Sequence, residues 1–474
     1  MLRTIVQKQT FSARRVVNVN LARFFSSNSD LKVVGGDGKN RVVVLGTGWG
    51  GFNLALNMKS NKPPSEITPE IRVVSPSNHF VFTPLLPSTA VGTLEFRAIQ
   101  EPIRKVLGTN GNFVQAKAID LDPDEKTLIC ESTHDQEKFK IQYEKLVIAV
   151  GVKTNTFGIK SIVEGDGIYF LKHLYHARNI RNNIIDSFEK AAVPGTCEEE
   201  RRRLLSFVVV GGGPTSCEFV AELYDFVTTD IKKLYPELVK YVDVSLVEAG
   251  NTLLGPFDSK LQDYTKSLFD SRDIHVRLST SVTGVEDYEG EGFRFPARKA
   301  LLSDGSELPF GTMVWSAGLE PVQFTQKVDL PKSANGRFIV DDYLRVKGYE
   351  GSIWAMGDSA MNENEPLPQL AQVARQQGMY LADVFNNKIK EDEKPFRYFS
   401  LGSMASVGQF KGLYDGSKVG VKGEEVDVPG MTGFVALLMW RFAYWGRQTS
   451  IENKILIPMY WLKSFFFGRD ISRF

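Results

Sequence analysis

Cysteine is scarce. Only Cys130, Cys197 and Cys217 occur in 474 residues, and none forms a C-x-x-C pair. That argues against a disulfide framework, a cysteine-ligated metal site and a dithiol redox centre. Charge of one sign is also lacking: 57 basic side chains face 56 acidic ones, a formal net charge of +1. Nothing in that balance points to nucleic acid as a partner. No apolar run reaches the roughly 18 residues of a transmembrane helix, so any membrane contact is expected to be peripheral. No EF-hand loop is present, so direct calcium control is not expected.

The first 29 residues lack Asp and Glu altogether. They carry Arg3, Lys8, Arg14, Arg15 and Arg23 among Ser and Thr, and Leu2, Ile5 and Val6 can share one helix face opposite the basic groups. This is the pattern of a mitochondrial presequence. Arg23-Phe24-Phe25-Ser26 resembles a processing site. The expected leader is residues 1–25, and the absence of a stop-transfer segment before Arg41 points to import into the matrix.

What is abundant is glycine placed after apolar strands. Val42–Leu45 is a β-branched run suited to a strand buried on both faces. Gly46, Gly48 and Gly51 follow at the spacing G-x-G-x-x-G. That spacing lets a strand turn tightly, a pyrophosphate approach the backbone, and a helix pack closely on the sheet. The helix start then offers free N–H groups and a positive dipole end to phosphate. The chain repeats the device at Leu204–Val210, followed by Gly211-Gly212-Gly213-Pro214-Thr215-Ser216. Ser216 takes the third glycine position, a looser fit.

The two copies differ in the acid that follows. An NAD-type unit ends its second strand in Asp or Glu, which holds the ribose. The strand Ile71–Val74 ends at Ser75, whereas Val242–Val247 ends at Glu248. Glu248 can accept from both ribose hydroxyls and would repel a 2′-phosphate, which favours NADH over NADPH. Its distance from the glycines exceeds the usual ~20 residues, and a long helix from Thr215 to about Tyr235 accounts for the excess. Two dinucleotide turns, one with the ribose acid and one without, suit a held flavin and an exchangeable NADH.

Other segments fit around these turns. The helix after the first turn runs from about Trp49 to Met58. In His79–Gly92 the prolines forbid a long helix, and the apolar residues beside Thr83 and Pro84 can wall a flat ring. Strand-like pieces at Phe113–Ala118, Thr127–Cys130 and Tyr143–Val150 precede Gly151. Asp186–Arg203 reads as a surface connection interrupted at Pro194-Gly195. Asp258–Asp270 reads as a helix and Glu286–Arg298 as a hairpin. Thr312–Gly318 is a further strand ending in glycine, Gly357-Asp358 closes another, and Pro368–Phe385 reads as a helix. From Phe434 onward aromatic residues alternate with Arg and Lys, opposed only by Glu452 and Asp470. Aromatic and basic residues at helical spacing describe a helix pair lying in a membrane interface; a pair packed on the body, or a dimer interface, is the other reading.

At this point the chain closely resembles the alternative, or type II, mitochondrial NADH:quinone oxidoreductases, of the rotenone-insensitive internal type. The resemblance rests on VVVLGTGWGG, FVFTPLLPSTAVGTLE, KLVIAVGVKTNTFGI, ERRRLLSFVVVGGGPTSCE, VSLVEAG, IWAMGDSA, LPQLAQVARQQGMYLA and the MWRFAY…FFFGRD tail. It implies an α/β fold of two Rossmann-like domains, as in glutathione-reductase-like flavoproteins, with non-covalent FAD, NADH as donor and ubiquinone as acceptor. It also implies C-terminal amphipathic helices on the inner-membrane surface, a homodimer, and no proton pumping. The implied domains are 40–160 with 335–405 for FAD, 161–334 for NADH, and 406–474 for anchoring and the quinone site.

Residue by residue, the resemblance implies FAD contacts at Gly46, Gly48, Trp49, Gly51, Thr83, Pro84, Leu85, Gly151, Gly357, Asp358, Ala371 and Gln372. It implies NADH contacts at Gly211, Gly212, Gly213, Pro214, Thr215, Glu218, Glu248, Ala317 and Gly318. Gln372, Arg375 and Tyr444 match the quinone site. Glu218, placed in the first turn of the second phosphate helix, and Gln372 are the catalytic candidates; no metal is implied. Arg375 stands where close relatives have a histidine, and an arginine stays charged and cannot relay a proton. Arg375 and Ser216 therefore leave a second reading open, a flavoprotein kept as a structural part of a respiratory assembly. A disulfide-reductase or sulfide:quinone enzyme would need a cysteine pair that the spacing does not offer. The assignment of the first turn to FAD makes Gly48→Val a test: the purified variant should be apoprotein, read as loss of flavin absorbance per protein, and full flavin retention would overturn the assignment.

Overall fold

The computed structural model describes residues 31–34, 41–58, 70–109 and 111–473. The leader and its cleavage site fall outside these residues.

Two parallel sheets carry the chain. In the first, Arg41–Leu45 is buried along its whole length and pairs in parallel with Glu70–Ser75 on one side and Lys145–Ile148 on the other. Burial on both faces is why the run is Val-rich and not alternating. Ile353–Ala355 adds in parallel to Lys145–Ile148, so the chain returns to its first sheet after crossing the second. Antiparallel strands at Gly111–Asp122, Thr127–Ser132 and Lys138–Gln142 extend the sheet, and Lys32–Val34 lies at its edge. The helix Trp49–Asn57 crosses the helix Ala371–Phe385 at a glycine contact: a Cβ on Gly378 would lie 2.4 Å from the Gly50 carbonyl oxygen. No larger residue fits that crossing without moving one helix.

The second sheet runs Ile168–Phe170, Thr312–Trp315, Ser206–Val210, Asp243–Val247, His275–Arg277, all parallel. Its covering helix is Leu174–Ala192. The sequence reading of Asp186–Arg203 as a surface connection is corrected here. Ala177, Ile180, Ile184, Phe188 and Ala191 form a buried stripe at helical spacing, and the charges that suggested a surface segment occupy the opposite face. Beyond the break at Pro194, Glu200 is buried and bonded by Arg203 at 3.3 Å and by the Arg294 and Phe295 amides at 2.9 Å.

The second phosphate helix spans Pro214–Phe226 and continues through a π turn at Val227–Ile231 to Leu234. The wider turn presents Asp230, which accepts from Arg469 Nη1 at 2.8 Å. The C-terminal part is a three-stranded antiparallel sheet, Phe399–Ser406, Gly412–Val421 and Val426–Gly433, followed by helices Phe434–Gly446 and Ile451–Phe467. Leu437, Trp440 and Ile457 face inward, whereas Phe434, Phe442, Ile451, Met459, Leu462, Phe465, Phe466 and Phe467 are exposed. No described helix is long and apolar enough to cross a membrane.

Candidate functional site

The first glycine turn is shaped by two close approaches. Gly46 has φ +105°, and a Cβ there would stand 2.3 Å from the Ala149 carbonyl; one on Gly51 would stand 2.1 Å from the Gly46 carbonyl. Gly48, just before the helix Trp49–Asn57, differs: a Cβ there meets nothing within 4 Å. That leaves a clear approach to the helix N–H groups, the room a pyrophosphate needs. Trp49 donates its indole N–H to Thr83 Oγ1 at 2.9 Å and packs edge-on against Phe80 and Phe82, each at 5.0 Å. Pro84 is half-buried, and Leu85 is part of the core with no exposed surface. Ser75, in the ribose-acid position, is buried and paired with Thr47 Oγ1 at 3.0 Å.

Gly151 (φ +66°) also has open space at its Cβ position. Gly357 (φ +66°) donates its N–H to Gln377 Oε1 at 2.7 Å. Burial pushes the Asp358 carboxyl above its usual range, opposed by the nearby positive charges of Lys172 and Arg337. An acid with two cations nearby suits a group with both hydroxyls and phosphates, and the open Cβ positions at Gly48 and Gly151 leave room for FAD.

The second turn repeats the first. Gly211 has φ +113°, and Gly213 leaves open space before the helix that begins at Pro214, with Thr215 half-buried next to it. Glu248 closes the far side, its carboxylate accepting from the Gly212 and Gly250 amides. The departure at Ser216 is absorbed locally: its hydroxyl pairs with Ser316 Oγ at 2.7 Å, one residue before Ala317 and two before Gly318. A Cβ on Gly211 would lie 3.1 Å from the Ala317 nitrogen. The phosphate turn and the end of the strand Thr312–Trp315 therefore touch.

Glu218 requires a correction. The first turn of the phosphate helix holds no acid, because Glu218 falls in the second turn. Its carboxylate is buried against the C-terminal part, where Oε1 accepts from the Ser406 amide at 3.0 Å and from the Trp440 indole at 2.9 Å. Burial pushes its pKa up to about 8, against the pull of those two donors. Tyr444 packs at 4.8 Å from Trp440 and 5.8 Å from Phe82, so the tail reaches the wall of the first turn.

Ala371 begins the helix Ala371–Phe385. Gln372 donates to the Gly402 carbonyl at 3.0 Å and accepts from the Leu401 amide at 3.3 Å. Arg375, one turn on, has its pKa lowered by burial and by the like charge of Arg447. Glu218, Gln372 and Tyr444 thus share contacts with the C-terminal part, whereas Glu248 and the glycines of the second turn lie at the carboxyl ends of the second sheet. Sequence reasoning missed Trp440, Gln377, Lys172 and Ser316. Trp440, Gln377 and Ser316 lay inside segments that the sequence singled out, the tail, LPQLAQVARQQGMYLA and Thr312–Gly318, whereas Lys172 carried no signal.

The chain matches the family described as pyridine nucleotide-disulphide oxidoreductase over residues 40–378, and the NDH2 C-terminal domain over residues 400–470. It is 41% identical over 441 residues to a probable NADH dehydrogenase of Dictyostelium discoideum, covering 92% of this chain and 91% of that one. It is 37% identical to an internal alternative NAD(P)H-ubiquinone oxidoreductase A1, mitochondrial, of Arabidopsis thaliana, covering 92% and 86%. Among solved structures it is similar to NDH2 from Plasmodium falciparum in complex with NADH, with TM-score 0.80, 26% identity, and coverage of 92% and 100%.

The position of Glu248 yields a measurable outcome. Glu248→Gln removes the negative charge beside the second glycine turn and keeps one of the two oxygens that accept from the Gly212 and Gly250 amides. Binding of NADPH relative to NADH should improve about 10-fold, the equivalent of ~1.4 kcal/mol, in titrations of the flavin-loaded protein; an unchanged ratio would refute the charge-repulsion role.

Proposed function

From the premise that the chain belongs to the type II NADH dehydrogenases, we propose that it oxidises NADH and reduces ubiquinone at the surface of the mitochondrial inner membrane. It is an FAD-dependent, non-proton-pumping NADH:quinone oxidoreductase with an α/β fold of Rossmann type. The observation that carries this reading is the pair of glycine turns at the carboxyl ends of two separate parallel sheets, one with Glu248 and one with the buried Ser75–Thr47 pair in its place.

When bound, FAD accepts a hydride from NADH and returns two electrons to the quinone. The chain's own residues supply position and charge. Gly48 and the start of the helix Trp49–Asn57 would hold the FAD pyrophosphate, and Asp358 with Lys172 and Arg337 would hold the ribityl end. Gly211–Gly213 and Glu248 hold NADH by its pyrophosphate and ribose. Phe82, Trp440 and Tyr444 wall an apolar approach from the tail, which excludes water and suits a quinone. Glu218 is protonated at neutral pH. Both of its hydrogen-bond donors use Oε1, which leaves Oε2 as the oxygen to carry the proton when the group is neutral. Gln372 and Arg375 lie on one face of their helix beside the C-terminal sheet, and Arg375 can orient a carbonyl but not deliver a proton.

Membrane attachment by the exposed apolar residues of Phe434–Gly446 and Ile451–Phe467, on the matrix face and as a homodimer, completes the proposal. The exposed aromatics support the attachment, the acid-free leader supports the matrix face, and the family resemblance supports the dimer. Protease protection in mitoplasts against intact mitochondria tests the face, and light scattering tests the dimer.

Two experiments test the centre of the reading. In stopped flow the FAD-loaded protein should bleach at the flavin band on mixing with NADH and recolour with a ubiquinone analogue; a flavin that NADH cannot reduce would sink the enzyme reading. Truncation before Phe434 should release the protein from liposomes, and a truncated chain that still sediments with them would show that the anchor lies elsewhere.

A further inference from the structure

Phe157 is an aromatic residue in a conformation that aromatic residues avoid. Its φ is +52°, in the left-handed region, and its side chain is 63% exposed. A bulky residue there is a steric outlier, and an exposed ring gains little from burial to offset it. The strain is held by neighbours. Asn155 Oδ1 accepts from the Phe157 amide at 2.7 Å, the Asn155 amide donates to the Gly318 carbonyl at 3.3 Å, and the Trp315 indole donates to the Asn155 carbonyl at 3.0 Å. Strained residues that their surroundings over-determine cluster at ligand sites.

The location of the ring says which ligand. Just before it, Val152–Thr154 pairs antiparallel with Leu319–Pro321, the two segments that link the FAD side to the NADH side. The ring lies on Gly318, where a Cβ would come within 2.6 Å of Phe157 Cζ. Gly318 follows the strand Thr312–Trp315, which pairs in parallel with Ser206–Val210, the strand that delivers the second phosphate turn. Asp243–Val247 pairs on the other side of Ser206–Val210, so the connection order reverses there. Open α/β sheets bind their ligands in the crevice at such a reversal, outside the carboxyl ends of the strands. Phe157 stands at the rim of that crevice, on the side away from Glu248.

We propose that Phe157 is a binding residue for NADH, its ring closing the outer wall of the crevice between Gly211–Gly213 and Gly318 and packing on the bound dinucleotide. This rests on the assignment of the second turn to NADH. A flat apolar ring held in one strained pose loses little freedom when a second flat ring packs on it, and so adds affinity at low entropic cost. Hydride transfer itself does not involve the side chain.

Two substitutions separate the ring from its backbone. Phe157→Gly removes the ring and relieves the positive φ, whereas Phe157→Tyr keeps both the ring and the strain. In stopped flow with FAD-loaded protein, Phe157→Gly should raise the half-saturating NADH concentration for flavin bleaching about 10-fold and leave the limiting bleaching rate unchanged. Calorimetric titration with NAD⁺ should show the same loss of affinity, with the melting temperature of the variant equal to or above that of the wild type. Phe157→Tyr should match the wild type in every readout. Unchanged half-saturation in Phe157→Gly, or an equal shift in both variants, would overturn the proposal. Wild-type protein that neither bleaches with NADH nor binds NAD⁺ would instead overturn the reading of the second turn.

Discussion

The junction on which the rest depends is a single face of the second phosphate helix. Glu218 on that face takes hydrogen bonds from the Ser406 amide and the Trp440 indole. Glu222, one turn later on the same face, takes them from Ser88 Oγ at 2.9 Å, Thr93 Oγ1 at 2.8 Å and Arg469 Nη2 at 3.3 Å. Ser88 and Thr93 belong to the segment that walls the first turn, Ser406 to the C-terminal sheet, and Trp440 and Arg469 to the tail. The two carboxyl groups therefore join the second phosphate helix, the segment beside the first turn and the C-terminal helices at one place. The two are kept buried by different means. Burial raises the Glu218 pKa to about 8, which favours its neutral form at pH 7, whereas Glu222 is matched by the Arg469 guanidinium, which also holds Asp230. Removing Arg469 would strand two acids, and a buried charge left unpaired is more costly than the loss of any one contact.

That junction lies between two copies of one local solution. The amides of Gly46 and Gly211 each donate at 2.8 Å to the end of the neighbouring strand, to the Val74 and Val247 carbonyls. Both glycines have positive φ near the same value, and the backbone beyond the next strand crowds both, at Ala149 and at Ala317. The geometry of the turn is thus dictated by the sheet and not by the ligand. The ligand is chosen by the residue that follows the second strand. Glu248 faces its turn with two acceptor oxygens, whereas Ser75 is consumed by Thr47 and the Ser77 amide.

What was legible in the sequence follows from this. The strand–glycine–helix units are encoded within about 30 residues of chain, so Arg41–Leu45, Ser206–Val210, both turns and Glu248 could be read directly. The helix Leu174–Ala192 was misread at its charged end because the apolar stripe begins well before Asp186. Glu218 was placed one turn too early because the helix start had to be inferred from Pro214 and the glycines. Its contact with Trp440 spans 222 residues of sequence, and the Ser216–Ser316 pair spans 100. No local pattern marks such contacts. The first arises when the C-terminal part docks on the phosphate helix, the second when the strand Thr312–Trp315 pairs beside Ser206–Val210.

Ser216 and Arg375, the two departures from the family pattern, have unlike consequences. Ser216 replaces a glycine where space is needed for helix–sheet packing, yet the hydroxyl is fully buried and satisfied by Ser316, so the cofactor turn keeps its shape. Arg375 changes chemistry instead of shape. Its charge lies partly buried near that of Arg447, and burial first and the like charge second lower its pKa. Two neighbouring cations would favour negative charge building on any oxygen placed beside them. They cannot supply the proton that must follow. The Trp440 indole ties the buried Glu218 carboxyl to the same wall as Tyr444. An arginine at position 375 thus offers charge without a proton, whereas the buried acid at position 218 sits on a different helix, held by the C-terminal part.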